Sequence, residues 1–412
     1  MFDAFITTAL PTIVFYIAKL APIWVPFVLV LLFWEIWVTY VRAQFFFKQE
    51  VRLLQIKLPK ELMKSPVAME LFLTTLHQTG GEGTWYDKFW LGKTRPWFSL
   101  EMASIEGKVG FYIWTRKGMQ KFIESSLYAQ FPGIEVHEVP DYTLPVTFDP
   151  KIVKMWAANL QFTKDDAYPI KTYVDYGLDK DPKEEFKVDP IAPVIEFLGS
   201  IGANQQAWFQ IIVRANKDDK RKPGTLFKFK YDPYKESAQK IINEIMKRDP
   251  KTKFVAGGED GAKVVLTKGE TETISAIERN LTKLQFEVGI RIIYFGKKEF
   301  YDPANISGMT GSWKQYASET LNGFRPNSKF YSPRFNYPWQ DFQNKRQNGD
   351  MEEALEAYKR RSFFFAPMKG DSIFMSSEEL ATIYHFPGQV AAAPAFSRIL
   401  SKKSEAPANL PQ

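Results

Sequence analysis

The feature that most constrains this chain is one run, Pro22 to Val41, PIWVPFVLVLLFWEIWVTYV, in which Glu35 is the only ionisable side chain. At about 1.5 Å of rise per residue, a helix of that length covers roughly 30 Å, the thickness of a bilayer's hydrocarbon core. Trp24 lies near one end and Trp34, Trp37 and Tyr40 near the other, where amphipathic rings favour the headgroup level. The next segment, 42–64, carries Arg42, Lys48, Arg52, Lys57, Lys60 and Lys64 against Glu50 and Glu61, whereas Lys19 is the only basic side chain before the run. This asymmetry orients everything after residue 42 toward the cytoplasm. We therefore expect a single-pass protein of the cell (inner) membrane, anchored by Trp24, Trp34, Glu35, Trp37, Tyr40 and Arg42. A buried core helix is the competing reading. A cleaved signal peptide fits less well, because the start lacks a basic region and no small-residue cleavage site follows. Glu35 has two readings: a polar contact within a helix bundle, or a carboxylate about two turns from the helix end reaching for the interface.

Behind the run the chain is ordinary globular material. Of its 412 residues 45% are hydrophobic and 25% charged, enough for two or three domains and unlike a polytopic membrane protein. A net charge of +7 suits a surface near anionic lipid or a nucleic acid and distinguishes neither. Cysteine is absent, which excludes disulfides, thiolate catalysis and cysteine-bound zinc or iron–sulfur centres. Aromatic residues reach 16%, predicting large stacked cores or adhesive assembly surfaces.

Taken in order, 5–18 is an apolar segment interrupted by Pro11 and too short to span comfortably, so it is either an interfacial helix or the first arm of a two-helix hairpin. Residues 51–58 alternate apolar and polar as a strand does, and Ser65-Pro66 opens a helix over 67–78. Strands at 97–105 and 108–115 form a hairpin around Glu106-Gly107, followed by a helix over 117–130 and a strand over 134–139. Strand, helix, strand, strand, helix, strand is the order of a split βαβ, or ferredoxin-like, module. A less complete second round follows: a strand at 168–176, a helix from N-cap Asp189 to 201, strands at 206–215 and 263–267, a helix over 270–284 and a strand over 286–295. It carries an insertion, 216–261, with a helix near 234–247. Thr115-Arg116-Lys117-Gly118 and Leu266-Thr267-Lys268-Gly269 repeat a local strand-to-helix signature.

The fold class expected is thus α+β: an N-terminal transmembrane helix, then two ferredoxin-like modules with antiparallel sheets. The boundaries are an anchor over 1–44, modules over 45–145 and 146–300, an aromatic and basic segment with closing helices over 301–390, and a Pro/Ala/Lys tail over 391–412. Within 301–390 we expect a helix at 350–361, Phe363 to Phe365 as a buried strand or an interface, and a capping box Ser376 to Glu379.

Catalytic chemistry is mostly missing. No G-x-x-x-x-G-K-[ST] loop exists, and the nearest stretch, 257–263, lacks the glycine before the lysine and the hydroxyl after it. His77, His137 and His385 lie far apart, and Asp165-Asp166 and Glu184-Glu185 read as solvated loop charge. We expect no enzyme activity, no cofactor and no metal. Two patches could meet phosphates: Arg214, Lys217, Lys220, Arg221, Lys222, Lys228 and Lys230, and an aromatic–basic stretch after Ser312 that includes Arg325 and Arg334. The alternatives are a solvated loop for the first and a packed segment with buried aromatics for the second.

Several segments resemble the N-terminal region of type IV secretion, conjugative DNA-transfer ATPases. They are Phe111 to Trp114 with Phe122 to Pro132, Asp189-Pro190-Ile191-Ala192-Pro193, Gln206 to Ile211, and Glu378 to Gly388. A stretch similar to Ala406 to Pro411 leads into the motor domain in fused relatives. The chain ends where that motor would begin, so the resemblance implies the membrane-anchored, non-catalytic half of such a machine. Its implied partners are the membrane, a motor ATPase supplied by another chain and DNA, in an oligomer. A membrane-tethered DNA-binding protein without a motor and a structural envelope scaffold are the alternatives.

Overall fold

The structure, a computed structural model, describes residues 15–16, 18–59, 64–180, 188–217, 232–246, 266–327, 337 and 339–387. The elements are α1 (Ala21–Phe47), β1 (Val51–Lys57), α2 (Pro66–Thr75), α3 (Trp85–Phe89), β2 (Trp97–Ile105), β3 (Lys108–Arg116), α4 (Lys117–Gln130) and β4 (Glu135–Val139). They continue with β5 (Val153–Phe162), α5 (Ala192–Gly199), β6 (Gln205–Ala215), α6 (Pro233–Ile245), α7 (Lys268–Leu281), β7 (Gln285–Lys297) and α8 (Ala304–Gly311). The last are β8 (Phe324–Pro326), α9 (Lys345–Lys359), β9 (Ile373–Ser376) and α10 (Ser377–Ile383). The fold is therefore mixed α and β, with an apolar N-terminal helix and an antiparallel sheet. Two compact units form: 1–50 with 80–95, and 51–79 with 96–412.

In the first unit α1 runs 27 residues and is long and apolar enough to cross a membrane. Most of its surface is exposed, unlike that of a core helix, with Val38 and Val41 its buried side chains. Residues 5–14 lie outside the described residues.

The second unit is built on one sheet in the order β4-β1-β3-β2-β6-β7-β5-β8, with β9 added beside β7. Every pairing is antiparallel. The expected boundary near 145 separates strands that share this sheet, because β2 pairs with β6 along its whole length. The first half places β1 and β3 at the centre, between β4 and β2. In the second half β7 lies between β6 and β5, so the first arrangement is not repeated. Of the strand expected at 263–267, residues 263–265 lie outside the described residues, and Thr267 is the N-cap of α7 and not part of a strand.

One sheet face is apolar. Leu100 and Met102 of β2, Ile113 of β3, Ile211 of β6, and Ile290 and Ile292 of β7 meet the buried faces of α2, α4, α5 and α10 there. Three expectations need correction. Residues 168–176 are not a strand but a loop of turns, in which the Asp175 carboxylate accepts from Thr172 N (2.9 Å). The strand is β5, earlier in the chain. Its buried run Met155 to Leu160 lacks the polar–apolar alternation of a half-exposed strand. Asp189 is not the N-cap of α5, since Ile191 holds that position; Asp189 Oδ1 instead accepts from Ile191 N (3.1 Å). Phe363 to Phe365 form no strand. Phe363 is buried over Gly289 of β7, where an added Cβ would come within 2.4 Å of its ring.

Candidate functional site

A row of polar side chains crosses the second face of the sheet. Residues Gln55, Tyr112, Glu101, Gln210, Arg291 and Asn159 stand opposite one another in register on β1, β3, β2, β6, β7 and β5. Burial of such groups is tolerated only where each finds a partner, and Glu101 shows how. Its Oε1 accepts from Ser99 Oγ (2.7 Å), Gln210 Nε2 (3.0 Å) and Arg361 Nε (2.9 Å), and its Oε2 from Tyr142 OH (2.8 Å) and Arg361 Nη2 (3.1 Å). The Arg361 guanidinium also donates to Asp141 and to Lys359 O (2.8 Å). Burial lowers the Arg361 pKa, but Glu101 and Asp141 outweigh that and hold it above the ordinary arginine value. Arg361 adopts φ +47°, in the left-handed region, which turns the chain after α9 so that the side chain enters the row. Arg291 donates to Gln210 Oε1 (2.9 Å) and Ser362 O (3.1 Å), and burial takes its pKa down to about 10. Between Arg291, Asn159, Glu353 and Lys369 lies a cavity of about 30 Å³.

The opposite side holds a second charged cluster, centred on α10, all seven residues of which are buried. Glu378 accepts from Thr172 Oγ1 (2.6 Å) and pairs with Arg279 (3.1 Å) and Lys283 (3.6 Å). Lys283 also pairs with Glu70 of α2 (2.7 Å), which accepts from Tyr173 OH (2.5 Å) and Ser377 Oγ (3.1 Å). Glu379 closes the expected capping box with Ser376. Its carboxylate accepts from Ile170 N (3.0 Å), Asn280 Nδ2 (3.0 Å) and Ser376 N (2.8 Å). Burial pushes its pKa up to about 7, against these neutral donors, which favour the charged form.

Past α10 the chain is locked to the sheet. The Phe386 ring packs edge-on against Phe111 (5.5 Å) and Phe131 (4.9 Å), and Tyr384 OH donates to Tyr112 O (3.2 Å). The buried His385 places Nε2 at 2.9 Å from Asp189 Oδ1 and Nδ1 at 2.9 Å from Ala381 O. Four segments far apart in the sequence, at 111–112, 131, 189 and 384–386, thus meet at one point. The other histidines also sit in local contacts, His77 with Gln285 O (3.0 Å) and His137 with Glu135 (2.9 Å). Asp165 is exposed in a loop, as expected, and accepts from Ser237 Oγ (2.8 Å), whereas the part-buried Asp166 accepts from Phe374 N (2.9 Å).

Of the predicted nucleic-acid residues, Arg214, Lys217 and Arg325 are among the described residues. Arg214 lies buried in β6, paired with Glu287 and with its guanidinium 4.2 Å from the Phe364 ring, so its charge is committed to the core. Arg325 is exposed on β8, donating to Phe162 O (3.3 Å), and Lys217 is partly exposed just past β6. Lys220, Arg221, Lys222, Lys228, Lys230, Arg334 and Glu184-Glu185 lie outside the described residues. In the aromatic–basic stretch Trp313 and Tyr316 are buried, with Phe324 edge-on to Trp313 at 5.0 Å. That half of the stretch is packed core. Of the expected anchoring residues, Trp34 and Trp37 pack against Trp85, Phe89 and Trp90 around α3, while Trp24, Glu35 and Tyr40 are exposed. Among the described residues no group of three or more His, Cys, Asp and Glu side chains is placed to hold a metal.

The geometry defines an α+β domain with two buried charge clusters, and a separate unit with an apolar helix. The family described as Domain of unknown function (DUF8128) matches residues 43–397, and the chain belongs to that family. No curated protein matches it. Among solved structures it is similar to a xylooligosaccharide oxidase from Myceliophthora thermophila C1 in complex with xylobiose, at 12% identity and a TM-score of 0.28. The match covers 78% of this chain and 55% of that one, so the chain spans about half the oxidase's length. A likeness of that degree carries no argument about fold or activity.

Proposed function

We propose that this chain is a membrane-anchored, non-catalytic accessory subunit of a type IV secretion or conjugation-like DNA translocation system. Helix α1 crosses the inner membrane once, and the sheet domain faces the cytoplasm as an oligomeric platform for a motor ATPase on another chain. The observation that carries this reading is the convergence at the end of the described chain. Three of the segments that resemble the transfer ATPases' N-terminal region pack together there through Phe111, Phe131 and Phe386, and a fourth joins them through Asp189, which meets His385. A wholly buried α10 ends in that junction. The strand order β4-β1-β3-β2, with α2 and α4 as its two helices, supports a ferredoxin-like reading of the first half.

Purification of the full chain from detergent-solubilised membranes should recover a hexamer-forming ATPase, and recovery of none under conditions that preserve known complexes would sink the proposal. Orientation is tested separately. Protease added to right-side-out cells should spare residues 45–412, and cleavage there would reverse the topology. Leu31→Lys places a charge at the middle of α1, at a cost of about 2.5–3.5 kcal/mol on insertion scales, and should weaken membrane retention.

A further inference from the structure

The first unit contains more than the helix. Segment 80–95, between α2 and β2, folds back along α1 in antiparallel sense, and its contacts step down the helix. The Gly92 backbone lies against Val41, so closely that a Cβ would come within 2.3 Å of Val41 O, and Gly92 takes φ +63° there. Further in, Trp90 packs on Trp37 (5.6 Å), and Trp37 Nε1 donates to Phe89 O (3.0 Å). Furthest in, Phe89 and Trp85 lie against Trp34 (5.4 and 6.3 Å). Trp34 is seven residues before Val41, about 10 Å along a helix axis. If Val41 marks the end of the apolar run, α3 lies beside the part of α1 that the bilayer surrounds.

The segment has the chemistry of that depth. Trp85 is 60% exposed, Tyr86 54%, Trp90 46% and Leu91 41%, a cluster of rings with polar atoms and one apolar side chain on a surface continuous with the span. Its backbone is satisfied from within: Lys88 N donates to Thr84 O (3.1 Å), Trp90 N to Tyr86 O (2.9 Å) and Lys93 N to Asp87 O (2.8 Å). A Thr84–Asp87 capping box closes its first turn. Its charges pair with one another, Lys93 with Asp87 (2.8 Å), and Lys88 and Arg95 with Glu82 (3.5 and 3.7 Å). Internally bonded backbone and paired charge are the conditions for entering the headgroup–acyl boundary, and Trp and Tyr are the residues enriched there.

We propose that segment 84–91 is a second membrane contact, which inserts Trp85, Tyr86, Trp90 and Leu91 into the headgroup–acyl boundary of the bilayer that α1 crosses. It fixes the depth and tilt of α1 and binds the domain to the lipid surface at two points. This rests on α1 spanning the bilayer.

The absence of native cysteine permits a direct test. Full-length Tyr86→Cys, Leu91→Cys, Leu31→Cys and Ser125→Cys are labelled with bimane and reconstituted into phosphatidylcholine–phosphatidylglycerol vesicles. Quenching is then compared between lipids spin-labelled at the headgroup, shallow in the acyl chain and deep in the acyl chain, and aqueous iodide. Probes at 86 and 91 should be quenched most by the shallow label and several-fold less by iodide than the probe at 125. The probe at 31 should respond to the deep label. Iodide access at 86 and 91 equal to that at 125, with 31 still deep, overturns the second contact and leaves the span standing. A probe at 31 in water overturns both. Gly92→Val drives a side chain into the α1 backbone, so in the Tyr86→Cys background it should abolish shallow quenching without moving the probe at 31. Unchanged quenching would show that docking on α1 does not place the segment.

Discussion

Glu101 and Glu379 are both carboxylates with no exposure to solvent, one on each side of the same sheet domain, and they are held in different ways. Glu101 receives five hydrogen bonds, two of them from the Arg361 guanidinium. Glu379 receives three, all from uncharged donors: two backbone amides and one side-chain amide. Hydrogen bonds from neutral groups favour the ionised carboxylate but do not cancel its net charge, so desolvation dominates and its pKa rises to about 7. Its neighbour Glu378 shows the other arrangement again, with Arg279 and Lys283 both within ion-pair distance. Near neutral pH the polar row is therefore built on ion pairs, and the centre of the α10 cluster on a carboxyl poised between its two protonation states.

The largest effect should come from breaking a pair on the polar face. Arg361→Met leaves the buried Glu101 and the part-buried Asp141 beside an apolar side chain, and removing one partner of a buried ion pair typically costs about 3–5 kcal/mol. Urea unfolding of the full chain in detergent, followed by circular dichroism, measures it. Replacing both charges, Glu101→Gln with Arg361→Met, should recover most of that loss, because no buried net charge then remains at the Glu101 position. A double variant as unstable as the single one would mean that the arginine acts through shape and the left-handed turn at 361, not through charge.

On the α10 side the expected signature is pH dependence. The folded-state pKa of Glu379 lies above its reference value of 4.5. As pH rises through 4.5 the unfolded chain releases this proton first, so stability falls with rising pH until the folded group also ionises near 7. Below about pH 4.5 the contribution is fully present, and above pH 7 its loss is complete. Glu379→Gln removes this titration. The stability difference between native and variant chains should shift by on the order of 3 kcal/mol across the window, against the native protein at the alkaline end. A difference independent of pH would show that Glu379 ionises in the fold as it does in water.

Much of the scaffold was legible in the residues, and most of the charge arrangement was not. Apart from α3, the first half from β1 to β4 is legible to within two or three residues at its boundaries, because its longer helices carry one apolar stripe and its hairpin turns at Glu106-Gly107. Strand β5 was missed because Met155 to Leu160 is buried throughout and has no alternation to detect. The loop 168–176 looked like a strand because Tyr168, Ile170, Tyr173 and Val174 mimic one, yet Thr172 and Asp175 bond locally instead. The polar row did leave a trace: Glu101 inside WFSLEMASI, Gln210 inside AWFQIIV and Arg291 inside VGIRIIY are each a polar residue within an apolar strand. Which of them stand opposite one another depends on a register that only the assembled sheet supplies. Arg361 closes the helix expected at 350–361, and nothing in that pattern announces the turn at φ +47° that buries its side chain. The back-folded 80–95 segment was invisible because no sequence period connects Trp85 with Trp34.

The smallest of these effects separates the cap of α10 from its charge. Ser376 Oγ accepts from Glu379 N (3.2 Å), and Glu379 Oε2 accepts from Ser376 N (2.8 Å), so one residue pair serves both the helix terminus and the buried carboxyl. Ser376→Ala removes the hydroxyl and keeps the backbone amide. Loss of a side-chain cap costs about 1 kcal/mol, with little dependence on pH. The hydroxyl beside the carboxyl also favours its ionised form. Its removal should move the Glu379 midpoint further upward and extend the pH-sensitive window at its alkaline end. Unfolding measured at closely spaced pH values distinguishes the two contributions: a uniform offset reports the cap, and a displaced midpoint reports the charge. An offset with no displacement would mean that the amides of Ile170 and Ser376 and the Asn280 side chain alone set how far the charged form is stabilised.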